Sequence, residues 1–158
     1  MSQILGTVVS LHLHPAKSGE PLRTVDSIEV VAEKGIVGNG RYFGRLSRST
    51  GQPSKRQITL IEREQISAHA TSLSLEVIPP GVVRSNIETT GINLVALIGR
   101  EVRVGEAVLL FYEARTPCEK MDRICQGLRA LMEEQRQGVL AQVVRGGVIR
   151  VGDAIERL

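Results

Sequence analysis

Residues 4–14 read ILGTVVSLHLH and stop at Pro15. β-branched and aliphatic residues dominate the stretch, which marks it as a strand. Working outward, further short strand candidates lie at residues 27–32, 57–61, 82–88, 101–104, 108–114, 139–144, 148–151 and 154–158. Gly, Pro, Asn or Asp punctuates most of the gaps between them. Many short strands joined by Gly turns predict a barrel or sandwich rather than an alternating parallel sheet.

Two segments read as helices. Residues 62–73 follow the strand QITLI and contain neither Gly nor Pro, although their apolar face is weak. Residues 119–136 carry Met121, Ile124, Leu128, Leu131 and Met132 at helical spacing on one face. Gly127 inside this run costs about 1 kcal/mol of helix propensity relative to Ala and marks a kink or break. Gly138 is the stop signal. The segments 102–108 (VRVGEAV) and 149–155 (IRVGDAI) echo each other as strand, Gly-acid turn, strand. A repeated β-turn idiom accounts for the echo without a duplicated ligand site.

Composition narrows the class. The 158 residues suit one domain, and the expected organisation is a single domain over 1–158. Apolar residues are 42% and charged residues 23%, which excludes a disordered chain. Twenty Lys and Arg against 17 Asp and Glu leave +3, too small an excess to indicate nucleic acid by charge. Aromatic residues are 3% and Trp is absent, which argues against a base-stacking platform. Two Cys are no disulfide framework and point to a reducing compartment. No apolar run reaches the roughly 18 residues that span a bilayer. No basic-then-apolar leader opens the chain, so the expected location is cytoplasmic.

Cys118 is the most informative candidate for chemistry. It follows Thr116-Pro117 and opens the predicted 119–136 helix. Free N–H groups and the helix dipole favour an anion there, and a thiolate is both nucleophile and soft-metal ligand. A buried or capping thiol is the equally weighted alternative. Cys125 falls near the helix's apolar face and reads as a core thiol. From Lys34 to Ile61 there is no acidic residue, while Lys34, Arg41, Arg45, Arg48, Lys55 and Arg56 all fall inside. Such a basic loop over a pocket attracts a phosphate or another anion; a solvated loop without ligand is the commoner case. Lys17 and Ser18 follow the strand-ending Pro15. Arg84 and Asn86, two apart in a predicted strand, share a face suited to an anion and an amide-like edge. His12 and His14 share a strand face without a third metal ligand nearby and read as a surface or core pair. His69 reads as exposed.

These segments, in this order, resemble the MOSC domain family, named for the C-terminal part of molybdenum cofactor sulfurases. Pro15-Ala16-Lys17-Ser18 resembles its P-x-K-S turn, and Gly35-Ile36-Val37-Gly38 with Arg41-Tyr42 its G-[IL]-x-G-D-R-[HYF] segment. Arg56-Gln57-Ile58-Thr59-Leu60 with Glu64 is similar to R-Q-[VI]-[ST]-L with a downstream Glu. Pro80-Gly81 and Arg84-Ser85-Asn86-Ile87 resemble the P-G…R-x-N-[IL] block, Pro117-Cys118 the P-C signature, and Gly146-Gly147 with Val151-Gly152-Asp153 the closing hairpin. The chain departs from the pattern where Asn39-Gly40 stands in place of a single Asp before Arg41. The sequence does not include the N-terminal β-barrel domain of the larger amidoxime-reducing members.

The resemblance implies a mainly β fold with helices, a β-barrel similar to that of pyruvate kinase. It implies a site for the molybdenum cofactor, with Cys118 as the thiolate ligand to molybdenum or as a persulfide-bearing sulfur carrier. Lys17, Ser18, Arg41, Arg56, Arg84 and Asn86 would contact the pterin or its phosphate. Reduction of N-hydroxylated compounds would need a separate electron-donor protein. Sulfur carriage would need a pyridoxal-phosphate cysteine desulfurase. Assembly into a homo-oligomer stays open. The alternative is a non-catalytic module that binds an anion or pterin, with Cys118 incidental.

Overall fold

The computed structural model describes residues 3–158. Strand β1 (Gln3–Leu13) is the spine, as the 4–14 stretch predicts. It pairs antiparallel with β11 (Ala154–Arg157) on one side and β6 (Ile87–Thr90) on the other, with β2 (Arg23–Val25) added along its C-terminal half. The other barrel strands are β5 (Ile58–Glu62), β7 (Glu101–Val104), β8 (Ala107–Ala114) and β9 (Val139–Arg145). In spatial order β1–β6–β5–β9–β8–β7–β11 they return to β1 and close a seven-stranded barrel. Closure removes the free edges that an open sheet would leave. A small second sheet joins β3 (Ser27–Val31), β4 (Gly35–Ile36) and β10 (Gly147–Arg150).

The alternation along β5 shows why it lies at the centre. Ile58 and Leu60 face the barrel core with Val8, Leu11, Phe111, Val139 and Ile155. Ile61 faces the other way and joins Ile66, Met121, Leu128 and Met132 beneath the helices. Every residue of β5 is therefore buried. β5 and β6 are the parallel pair in an otherwise antiparallel barrel, joined across α1 (Arg63–Ser72) and the loop 73–86. A parallel neighbour requires such a crossover, and the crossover loop carries Arg84, Ser85 and Asn86.

Several local expectations change. The predicted 119–136 helix is two five-residue helices, α2 (Lys120–Ile124) and α3 (Leu128–Met132). Cys125 turns extended and Gly127 takes φ 94°, so the chain breaks where Gly127 permits it. Met121, Leu128 and Met132 still face one cluster, which is why their spacing imitates a single helix. Cys125 lies at the break, half-buried against that cluster, and both thiols are free. The predicted strand over 82–88 begins only at Ile87; residues 79–83 turn, and Arg84 has φ 66°. Arg84 and Asn86 therefore do not share a strand face. His69 is buried, not exposed, because its Nε2 bonds the Arg136 carbonyl at 2.8 Å and ties α1 to the end of the α3 segment.

The sequence echo resolves into two different turns. The first copy is the β7–β8 hairpin. The second is a corner at which the chain leaves the small sheet and enters the barrel, since β10 pairs with β3 while β11 pairs with β7 and β1. The two copies touch: Glu106 pairs with Arg150 at 3.2 Å, and it also accepts from the N–H of Val148, the residue just before the second copy, at 3.1 Å.

A buried clamp fixes the crossover loop. Glu88 on β6 is fully buried. Its carboxylate pairs with Arg63 at 3.0 Å and accepts from the Gly81 N–H at 2.8 Å, with His12 Nε2 3.8 Å away. Arg63 also donates to the Ile78 carbonyl. Removing one partner of a buried pair strands the other charge, at a cost of about 3–5 kcal/mol. Arg63→Met is expected to lower unfolding free energy by that order in urea denaturation. The neutral Glu88→Gln, which leaves no stranded carboxylate, is expected to cost less. Equal and small losses in both variants would contradict the clamp.

Candidate functional site

β1 runs antiparallel to β6, and β5 runs parallel to it. The C-terminal end of β1 and the starts of β5 and β6 therefore meet at one end of the barrel. There His14, Asn39, Tyr42, Arg56, Gln57, Ile58, Thr59 and Asn86 line a small recess of about 10 Å³. Its floor is an amide network. Asn86, 1% exposed, accepts at Oδ1 from the Thr59 N–H and hydroxyl, both at 3.1 Å. Its Nδ2 donates to the His12 carbonyl at 2.9 Å and to Asn39 Oδ1 at 3.1 Å. Asn39 Oδ1 also accepts from the His14 N–H at 2.8 Å. Three segments distant in sequence are thus held by neutral groups with no bonding capacity left over on the Asn86 amide.

The replacement of the expected Asp by Asn39 has a structural meaning here. Its Oδ1 performs the acceptor role a carboxylate would perform, without adding a negative charge. Gly40, the extra residue, lies against the preceding turn: a Cβ there would stand 2.3 Å from the Pro15 carbonyl oxygen. The Asn39-Gly40 pair therefore lets the loop close onto the end of β1.

Around this neutral floor stand cations. Arg115 follows β8 and is 9% exposed. Its Nη1 donates to the Arg84 carbonyl at 3.2 Å and to Ser85 Oγ at 3.1 Å. No carboxylate pairs with Arg115 among the described residues. Burial pushes its pKa down to about 10, with the Arg56 and Arg84 charges adding to the effect and Tyr42 and Cys118 opposing it. Arg84 is itself tethered to the Glu20 carbonyl at 2.8 Å. The Tyr42 ring stacks edge-on against His14 at 4.8 Å. The guanidinium carbons of Arg56, Arg41 and Arg45 lie 5.5, 5.9 and 5.9 Å from its centroid. A buried cation that lacks a counter-ion, with two more cations close by, is a site for an anion from outside.

His14 is neutral at pH 7. Burial lowers its pKa to about 4, the Asn39 hydrogen bond pulls upward, and Arg115, Arg84 and Arg56 push further down. His14 Nδ1 faces both Asn39 Oδ1 at 3.2 Å and Asn86 Nδ2 at 3.3 Å, and the neutral ring lines the recess.

The sequence-predicted residues fall into three groups. Arg56 and Asn86 line the recess, and Arg84 joins Arg115 beside it. Arg41 lies on the Tyr42 ring but does not line the recess. Lys17 and Ser18 stand exposed in the turn after β1, and their side chains make no hydrogen bond or ion pair among the described residues. Cys118 is exposed, three residues beyond Arg115, and precedes a helix of only five residues. The long-helix dipole expected to act on its thiol is therefore absent. No group of three or more His, Cys, Asp and Glu residues is arranged to hold a metal among the described residues. The sequence reading did not assign His14 and Asn39 to the site, and it set Arg115 beside Cys118 rather than in a buried cluster with Arg56 and Arg84. The available signal was an arginine at the end of an apolar strand, just before Thr116-Pro117-Cys118.

The His14 pKa gives a signed prediction. The folded value of about 4 lies below the ordinary 6.5, so the unfolded chain takes up the proton first as pH falls. The stabilisation tied to neutral His14 is complete above pH 6.5 and is lost as pH drops towards 4, amounting to up to ~3 kcal/mol. Asn39→Asp adds a negative charge beside the ring. An NMR titration is expected to move the His14 midpoint upward in that variant; an unmoved midpoint would contradict the assigned contact.

No helix among the described residues is long and apolar enough to cross a membrane. The fold is similar to that of YuaD from Bacillus subtilis, with TM-score 0.76, 17% identity, and coverage of 99% of this chain and 97% of that one. YiiM from Escherichia coli matches with TM-score 0.69 and 19% identity over 96% of this chain and 69% of its own. YiiM from Geobacillus stearothermophilus matches with TM-score 0.64 and 16% identity over 98% and 74%. No curated protein matches the sequence significantly. The family model for the MOSC domain matches residues 21–156. With that match spanning most of the sequence and the barrel in place, the chain belongs to the MOSC domain family, which is associated with binding of the molybdenum cofactor.

Proposed function

We propose that the cation cluster binds the molybdenum cofactor, or a pterin phosphate of the same chemistry, and that Cys118 is the reactive thiolate beside it. The carrying observation is Arg115, buried without a carboxylate and flanked by the charges of Arg56 and Arg84. The donor set suits the group. Three guanidiniums match a phosphate, the neutral His14 ring at the recess suits a heterocycle edge, and an accessible sulfur suits a soft metal. When bound, the cofactor supplies the redox-active metal. The chain's own residues hold the phosphate, keep the recess floor neutral and present the thiol.

Two roles for Cys118 remain in this reading: a ligand to molybdenum, or a carrier that accepts sulfane sulfur from a cysteine desulfurase and passes it on. Carriage draws more support from the chain, because an exposed thiol can meet the donor protein's persulfide. Reduction of N-hydroxylated compounds would require a separate electron donor. A plain anion-binding module is the second reading, favoured by the shortness of the helix after Cys118.

Protein purified from a cofactor-producing host tests this. The expected result is bound molybdenum together with the fluorescence of oxidised pterin. In the metal-ligand role Cys118→Ser is expected to lose most of the molybdenum while retaining pterin, because the phosphate contacts survive; in the carrier role it is expected to keep both and to lose the persulfide that mass spectrometry reads on the wild type. Pterin without molybdenum in the wild type would favour the plain binding module. Neither species, even after incubation with free cofactor, would sink the cofactor reading.

A further inference from the structure

Helices α2 and α3 are each too short to persist in water without packing. One side chain latches the break between them. Asp122 Oδ1 accepts from the Gly127 N–H at 3.2 Å and from the Arg129 N–H at 3.0 Å. In a continuous helix these two N–H groups would bond the Arg123 and Cys125 carbonyls instead. Both groups are therefore satisfied in either arrangement. The apolar packing is shared as well. On a continuous helix Met121, Leu128 and Met132 fall within about 40° of one another. These are the residues that α2 and α3 already bury with Ile61 and Ile66. Ile124 and Leu131, half-buried here, would lie on the same side. Residues 119–133 contain no Pro, and Gly127 is their one Gly.

The broken arrangement carries costs of its own. Glu134 and Gln135 take φ 59° and 66°, a region that residues with a Cβ disfavour. Gln137 is 1% exposed, and its Oε1 has no hydrogen-bond partner. Its Nε2 meets the Met121 sulfur of α2 at 3.5 Å, a weak acceptor. A buried carboxamide left in this state opposes the packing around it. The two ends of the segment are held unequally. His69 bonds the Arg136 carbonyl, and the Arg136 side chain bonds the Glu133 and Ala130 carbonyls. At the other end the Thr116 and Cys118 side chains make no hydrogen bond among the described residues. A rearrangement therefore moves the end that carries Cys118.

We infer that residues 119–133 form a two-state element: the broken pair seen here, and a continuous helix of about four turns with Cys118 at its N-terminus. In the broken pair the thiol lacks a long-helix dipole. In the continuous helix the dipole and the free N–H groups favour the thiolate, so the break acts as a switch on the thiol. The consequence for chemistry rests on the reading of Cys118 as the reactive thiol; the two backbone states do not. Gly127→Ala shifts the population in a known direction. A Cβ there opposes φ 94°, meets Leu73 Cδ2 at 3.2 Å in the broken pair, and favours the helix.

NMR of the full chain, combined with iodoacetamide alkylation read peptide by peptide in mass spectrometry, tests the switch. In Gly127→Ala the Cα shifts of Cys125 and Gln126 are expected to move from extended to helical values. Cys118 is expected to alkylate about threefold faster than in the wild type. Asp122→Ala removes the latch and keeps Gly127, and it is expected to move the same shifts in the same direction. Shifts that stay non-helical in the folded variants would overturn the two states. Helical shifts with an unchanged Cys118 rate would overturn control of the thiol by the break. Neither result alters the molybdenum and pterin content of the wild type, so failure of the switch and failure of the cofactor reading are told apart.

Discussion

The site depends on one unusual constraint: a guanidinium kept inside the protein without a carboxylate. Arg115 meets only neutral oxygens, the Arg84 carbonyl and the Ser85 hydroxyl. Desolvating a charge costs several kcal/mol, and partial hydrogen bonding returns only part of it. The neighbouring charges of Arg56 and Arg84 raise the cost further. Such an arrangement persists only if the surrounding structure holds it rigidly.

Two devices supply that rigidity, and both use β6. At its start, the Asn86 amide ties β1, β5 and the Asn39 loop together through neutral hydrogen bonds. One step into the strand, Glu88 clamps the crossover loop through Gly81 and Arg63. The barrel's one parallel pair makes this loop necessary, and the loop brings Arg84 and Ser85 to Arg115. Barrel topology and site chemistry are in this way linked. The Glu88 carboxylate is engaged by Arg63 and the Gly81 N–H.

Much of the barrel is legible in the sequence because strand alternation and turn residues are local signals. β1, β5, β7, β8 and β9 fall where β-branched runs predict them. The failures have a common physical origin. The break at Cys125–Gly127 is hidden because both short helices bury residues in the same cluster, so periodicity continues across it. Residues 82–86 resemble a strand because Val83 is apolar and buried like a strand residue. His69 looks exposed because its acceptor, the Arg136 carbonyl, is distant in sequence. For the site, the acid-free run locates Arg56 and the R-x-N block locates Arg84, but neither marks the burial of Arg115, which follows from the barrel rather than from its neighbours. Asn86 is found by motif, yet its amide is engaged by the fold itself, as the recess floor.

The most direct measurement is thermal unfolding of Arg115→Met with and without orthophosphate. If Arg115 is an uncompensated cation held for a ligand, removing its charge relieves both desolvation and repulsion. The variant is then expected to unfold at an equal or higher temperature than the wild type, and to lose the saturable stabilisation that phosphate gives the wild type. A variant that is clearly less stable yet keeps the full phosphate response would contradict the account, because Arg115 would then serve the fold and not the anion.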